Sequence, residues 1–330
     1  MSVLRLSAAL SDNAYNRPIL DGVIAPRGTE VVASPMHPSE MFWRQLRYRE
    51  FDVSELSLSG LAIQRAKGDD SWVPLPVFTT TEFFHTRLRV RTDAGIEQPA
   101  DLAGKRIGLV EYQQTASVWL RGTLQDLYGV APTDVHWVME RSRRRSHGKA
   151  TGFQPPAGID LTVLDDDGDL GAELLAGKLD AMAYRTTPWN VVDRQRTDIG
   201  SAPGVRPLYE DTDAEYARYV QRFGFVPVNH CVVVRRELVD RHPWLPMNIF
   251  VAFVEAKRRA LAAFTRQLDD YRRHGVPTAR LAATDPVPYG VAGQEAMLGT
   301  LFGYLHREGL TDRLVTVEDV FPPEFRELST

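Results

Sequence analysis

The chain has 330 residues, 43% hydrophobic and 25% charged, with formal net charge −4 and one cysteine. This is the composition of a globular protein of one large domain or two, and its acidic balance gives no reason to expect a nucleic-acid partner. Cys231 alone excludes an internal disulfide and a Cys-based zinc site, and no stretch approaches the 18 uninterrupted apolar residues of a membrane span.

Val3–Leu10 reads as a first strand, followed by a polar turn at Ser11–Asn16 and a short helix to Asp21. Thr29–Ala33 reads as a strand, Ser39–Arg47 as a helix, Phe51–Leu58 as a third strand and Trp72–Phe78 as a fourth. Phe83–Arg91 alternates: Phe84, Thr86, Leu88 and Val90 fall on one face, and His85, Arg87, Arg89 and Arg91 on the other, which predicts a strand with His85 on its polar side. The most informative stretch is Arg106–Gly129. An apolar run, Ile107–Val110, breaks at Glu111-Tyr112-Gln113-Gln114 and gives way to a helical stripe of Ala116, Trp119, Leu120, Leu124 and Leu127, closed by Gly129. A strand that feeds a helix N-terminus through a polar turn suits a small carboxylate, because first-turn N–H groups are free and the helix dipole favours negative charge. Thr115, with the N–H groups of Ala116 and Ser117, forms that candidate subsite; a plain N-cap is the alternative.

Asp134–Met139 follows as a strand. The run Arg141–Lys149 lacks interleaved aromatics and reads as a solvated loop, with His147 on the surface. Leu170–Ala176 is a helix stopped by Gly177, Leu179–Tyr184 a buried strand, and Cys231–Arg235 another. Pro243–Phe264 is a helix with Pro243 at its start, and helices are expected near Gln267–His274 and Gly293–Glu308. Strands alternating with helices imply an α/β fold with mainly parallel sheets, and ligands of such sheets bind beyond the strand C-termini. The turns at Ser11–Asn16, Ser57–Ser59, Glu111–Thr115 and Tyr184–Arg185 all fall at such ends, which predicts one shared cleft.

Four segments in this order, PVFTTTEFFHT (76–86), DLAGKRIGLVEYQQTASVWLRGTLQDLYGV (101–130), ELLAGKLDAM (173–182) and FVPVNHCVVVRRELVDRHPWLPMN (225–248), resemble the 4,5-dihydroxyphthalate decarboxylase family. The resemblance covers roughly Val3 to Phe264. It implies a type II periplasmic-binding-protein-like fold: two α/β lobes with the ligand between them, one lobe of 1–95 plus 240–330 and the other of 96–239. It also implies His85 and His230 facing one cleft, and cofactor-independent decarboxylation of a hydroxylated aromatic acid. Family members tend to carry arginines around the first segment, whereas this chain has Thr80, Thr81, Glu82 and Phe84 there; threonine and phenylalanine cannot make the bidentate carboxylate contacts of arginine, which points to a substrate without a second carboxylate.

Decarboxylating an aryl acid calls for a proton donor near the ring carbon, and histidine suits that at neutral pH. His230 and His85 are the candidates, each also readable as a structural histidine; His37 and His242 read as structural. Glu111 is a candidate for orienting a histidine or a ring hydroxyl. Tyr15, Asn16, Ser59, Thr81, Phe84, Tyr184 and Arg185 are candidate substrate contacts. The acidic turn Asp165–Asp169 lacks EF-hand spacing, and no dinucleotide, phosphate-loop or HExxH motif occurs, so neither metal nor cofactor is expected. The N-terminus has no long apolar h-region, from which a cytoplasmic protein is expected. A small-carboxylate receptor of transporter type, which needs the cleft but no catalysis, is the alternative function; a homo-oligomer is left open.

Overall fold

The structure is a computed structural model that describes residues 3–185, 190–193, 195–274 and 289–329, with the side chains of 270 and 271 excepted. Two sheets form its frame. The first contains β1 (Leu4–Leu10), β2 (Thr29–Pro35), β3 (Val53–Ser57) and β4 (Trp72–Thr81); the chain then passes to the second sheet with β5 (Leu88–Arg91), β6 (Arg106–Leu109), β7 (His136–Met139), β8 (Asp160–Val163), β9 (Ala181–Ala183) and β10 (Val205–Pro207). It returns to the first sheet with β11 (Val228–Arg235). The strand orders are β2-β1-β3-β11-β4 and β10-β5-β9-β6-β7-β8.

Both sheets are mainly parallel, as the alternation of elements predicts, and each contains one reversed strand. β1 runs parallel to β2 and β3, β6 parallel to β7 and β9, and β7 parallel to β8. However, β11 is antiparallel to β3 and β4, and β5 is antiparallel to β9 and β10. The reversed strands β5 and β11 are those entered on crossing between sheets. They also fall outside the division anticipated from sequence: Leu88–Arg91 belongs with the second sheet and Val228–Arg235 with the first. The sheets therefore exchange the chain between Thr81 and Leu88, and again between Pro207 and Val228.

The helices are α1 (Arg17–Leu20), α2 (Pro38–Tyr48), α3 (Leu58–Ala66), α4 (Thr115–Tyr128), α5 (Gly148–Thr151), α6 (Leu170–Leu175), α7 (Thr212–Phe223), α8 (Arg236–Arg241), α9 (Leu245–Arg273), α10 (Glu295–Arg307) and α11 (Val317–Val320). The two helices expected over 243–264 and 267–274 are one continuous α9, which packs on β4 and α1. Leu6, Ala8, Leu75, Val77, Val232, Ile249 and Phe253 form the core under α9. The opposite face of the first sheet shares a continuous core with the second sheet, through Leu56, Phe78, Cys231, Ile107, Leu109, Trp119 and Phe302. Among the described residues no helix is long and apolar enough to cross a membrane.

Candidate active site

A cleft opens between the sheets where three helices begin. From the first sheet come the start of α2 (His37, Ser39), the cap of α3 (Ser57) and His230 of β11; from the second come the start of α4 (Gln114, Ala116, Ser117), Arg141 and His147 after β7, and Tyr184 and Arg185 after β9. Phe84 and Arg87 line it from the first crossover, and Asp193 closes one wall.

At the start of α4 the Ser117 N–H, one of the two expected to meet a carboxylate, donates to the Gln114 carbonyl at 2.9 Å. Gln114 is the N-cap, and the N–H groups of Thr115 and Ala116 have no acceptor within the helix, as the geometry of a first turn requires. The Thr115 hydroxyl, however, is 2.8 Å from Ser57 Oγ and accepts from the Ser59 N–H at 2.9 Å. Ser59 Oγ donates to the Gln113 carbonyl at 2.7 Å. Thr115 and Ser59 thus tie the two sheets together behind the cleft, and it is Ala116 and Ser117 that face it. At α2, the Ser39 N–H donates to His37 Nδ1 at 3.3 Å, so the ring caps its own helix while lining the cleft. Burial lowers the His37 pKa, with Asp193 opposing.

His230 is 4% exposed. Its Nδ1 lies 3.4 Å from Glu55 Oε2 and 3.3 Å from Thr80 Oγ1, and its ring meets Phe42 edge-on at 4.7 Å. Burial pulls its pKa below the ordinary histidine value, against the opposing pull of Glu55.

His85 is elsewhere. Phe84–Arg87 is a 3-10 turn rather than alternating strand, so Phe84, His85 and Thr86 are all buried. Phe84 turns to the cleft, while His85 Nε2 bonds Glu215 Oε1 at 2.9 Å and stacks on Tyr219. Glu215 also accepts from Tyr128 at 2.5 Å. Glu111 does not line the cleft: it is 1% exposed and accepts from Arg141 (2.6 Å), Ser146 (2.5 Å) and the Gly148 N–H (3.2 Å). Burial alone would raise its pKa; His147 and Arg141 bring it below the usual range. Tyr15, Asn16 and Thr81 are also outside the lining. Asn16 is fully buried and donates to Glu55 Oε1 at 3.0 Å, and Thr81 pairs with Val228 at the end of β4. Tyr184 donates its hydroxyl to Asp198.

The basic run is a solvated loop only in part: Arg143, Arg144 and Lys149 are exposed, but its first arginine and His147 are not. Arg141 is 3% exposed and donates to Glu111, to Asp193 Oδ1 (2.7 Å) and to Ser39 Oγ (2.6 Å) across the cleft; His147 is buried beside it. Arg87, Arg141 and Arg185 all line the cleft, so its cations come from positions other than the Thr80–Phe84 segment. Nothing local in the sequence marks Glu55, Arg141 or Asp193; each is recognisable only once β3, β7 and the loop after β9 are brought together. Among the described residues no group of three or more His, Cys, Asp or Glu side chains is arranged to hold a metal ion.

No family model matches the sequence. Against curated proteins, the chain is 32% identical over 332 residues to a 4,5-dihydroxyphthalate decarboxylase of Comamonas testosteroni, with 98% of each chain covered. The chain belongs to the 4,5-dihydroxyphthalate decarboxylase family. A second relative of the same name, from Pseudomonas putida, is 35% identical over 188 residues, covering 57% of this chain and 73% of its own. This member of the family is accordingly an enzyme of the carboxy-lyase class. Among solved structures, the desulfurization enzyme DSZB matches with TM-score 0.52 and 16% identity over 97% of both chains. The periplasmic aliphatic sulphonate binding protein SsuA of Escherichia coli matches with TM-score 0.51 and 13% identity, covering 98% of this chain and 92% of its own. At such identities these likenesses show the fold, the two-lobed type II periplasmic-binding-protein-like architecture, and it is this fold that places the cleft between the sheets.

Proposed function

We propose that the chain decarboxylates a hydroxylated aromatic dicarboxylate of the 4,5-dihydroxyphthalate type, with His230 delivering the proton to the ring. The observation that carries this reading is the cleft on which the open end of α4, Arg185, Arg87 with its partner Glu82, and the His230 imidazole converge. Helix N-termini and guanidinium groups both suit carboxylates. Two such sources fit a ring with vicinal carboxylates better than one, and arginine reaches the cleft from outside the Thr80–Phe84 segment. The lobes divide between Thr81 and Leu88 and between Pro207 and Val228, so that the substrate lies across both.

In the reaction, the imidazolium of His230 gives its proton to the ring carbon that bears the leaving carboxylate. A hydroxyl para to that carbon stabilises the dienone-like intermediate. The bond to the carboxylate then breaks, its electron pair restores the aromatic ring, and CO2 leaves; the imidazole regains a proton from solvent. One proton is consumed, and 4,5-dihydroxyphthalate would yield 3,4-dihydroxybenzoate. General acid catalysis of this kind is worth about 10²–10⁴ in rate.

The test is incubation of the purified protein with 4,5-dihydroxyphthalate and with monocarboxylate hydroxybenzoates, following CO2 release and the aromatic product. CO2 release from the dicarboxylate in preference to the monoacids supports the reading; tight binding without turnover would instead make the chain a receptor. His230→Ala is expected to lower kcat by at least about 100-fold with an unchanged circular dichroism spectrum. A rate near that of the parent removes His230 from the mechanism.

A further inference from the structure

Glu55 stands in β3 with no solvent exposure. An ionised carboxylate at such depth costs several kcal/mol in lost hydration unless donors replace the water. Here they do. Oε1 accepts from the Ser11 N–H (2.7 Å), Ser11 Oγ (2.5 Å) and Asn16 Nδ2 (3.0 Å), and Oε2 accepts from Thr79 Oγ1 (2.6 Å). Burial alone would push the Glu55 pKa up, but His230 and these donors bring it below the usual value, so the group is a carboxylate at neutral pH. The first turn of the chain, anticipated as a substrate contact through Asn16, is spent on holding this one charge.

Of the groups around Glu55, His230 is the one that lines the cleft. A carboxylate only accepts, so a favourable contact at Nδ1 requires the proton on that nitrogen, with Thr80 Oγ1 accepting from it as well. Phe42 fixes the ring plane from the side. We propose that Glu55 is the positioning residue of the reaction: it holds His230 with Nδ1–H turned to the buried carboxylate and Nε2 turned to the cleft, and it sustains the positive charge of the ring during proton delivery. This rests on the reading of His230 as the proton donor.

The consequence for pH follows from the groups that face the ring. They are Glu55 from β3, Arg185 after β9 and His37 at the head of α2; Thr80, Ser57 and Phe42 are neutral. Burial and Arg185 disfavour the imidazolium, and Glu55 favours it. Glu55→Gln removes the favourable charge and keeps the size, so the ring must lose its proton at lower pH. The rate, which needs the protonated ring, must then begin to fall at lower pH too.

The experiment measures CO2 release from 4,5-dihydroxyphthalate between pH 5 and 9 for the parent and Glu55→Gln, together with an NMR titration of the His230 ring assigned with His230→Ala. Expected for Glu55→Gln are a loss in kcat of about 10-fold or more at pH 7.5, a KM within about 3-fold, and a high-pH limb moved down by about one unit, with the ring titration moving in step. A purely structural role would lower the rate at every pH and leave the limb in place; that result overturns the proposal. Nitrogen chemical shifts of the neutral His230 ring in the parent protein give a second readout that needs no variant: Nδ1–H is expected, and an Nε2–H tautomer overturns the proposal. If His230→Ala retains the parent's rate, the assignment of the proton donor has failed; if His230→Ala is inactive and Glu55→Gln keeps its limb, the role of Glu55 alone has failed.

Discussion

Arg141 carries more of the site's electrostatics than any other side chain. It is buried between Glu111 and Asp193. Burial alone would raise the Asp193 carboxyl, but the charge of Arg141 and the bonds from Ser39 and Arg141 hold it at about 2. A carboxyl depressed from 3.8 stabilises the fold above pH 4, and that contribution, about 2 kcal/mol, is lost as pH falls through 2. Arg141→Met reverses the sign. Two buried carboxylates lose their cation, which costs about 3–5 kcal/mol at pH 7, and both then take up protons in the folded state at higher pH than in the unfolded one. In urea unfolding the variant is therefore expected to fall well below the parent at pH 7 and to lie closer to it at pH 5. Parallel behaviour of the two proteins would contradict the account. None of this is visible in the sequence, because the partners of Arg141 lie 30 and 52 residues away. An arginine at the head of a basic run looks solvated until the carboxylates that bury it are known. The same holds for His85: it stands out as the histidine of the family's first segment, but its partner Glu215 lies 130 residues on and takes it out of the cleft.

Elements with a strong local pattern are legible in the sequence, and those with a compound one are not. The apolar run, polar turn, stripe and closing glycine of Arg106–Gly129 are β6 and α4, with Gly129 in the left-handed conformation at the C-cap. In contrast, Ser57-Leu58-Ser59-Gly60 reads as a strand end and turn, yet Ser57 is the N-cap of α3, a helix buried over most of Leu58–Gln64 against α4 and α10 and so without a polar stripe to reveal it. Gly122 shows how tightly these helices meet. A Cβ at that position would lie 2.1 Å from the Tyr304 ring of α10. That ring is 3% exposed and is anchored by its hydroxyl to Asp126 Oδ2 at 2.7 Å, so it cannot swing aside. Gly122→Ala gains about 1 kcal/mol in helix propensity. It also forces α4 from α10, and an overpacked contact costs about 1–3 kcal/mol, more at so short a distance. The clash wins, and thermal unfolding is expected to show a lower midpoint for this variant; an equal or higher midpoint would mean that the helices part freely.

The molecule as a whole joins two sheets by more than the two crossings of the chain. The Trp119 indole N–H of α4 donates to the Val228 carbonyl of β11 at 2.8 Å, Lys67 donates to the Thr151 carbonyl at 2.5 Å, and Thr115 bonds Ser57 and Ser59. Beneath these bonds the apolar core continues from Leu56, Phe78 and Cys231 to Ile107, Leu109 and Trp137. Two lobes with separate cores would unfold one after the other, whereas a core shared across the cleft floor makes each sheet's loss expose the other. Equilibrium denaturation in urea is therefore expected to give one transition, with tryptophan fluorescence and far-ultraviolet circular dichroism coinciding. Trp72 lies in β4, Trp137 in β7 and Trp119 between the sheets, so fluorescence samples both lobes and their junction. A plateau between two fluorescence steps, or a dichroism midpoint displaced from the fluorescence midpoint, would show that the lobes are independent and that the floor of the cleft can open without unfolding either.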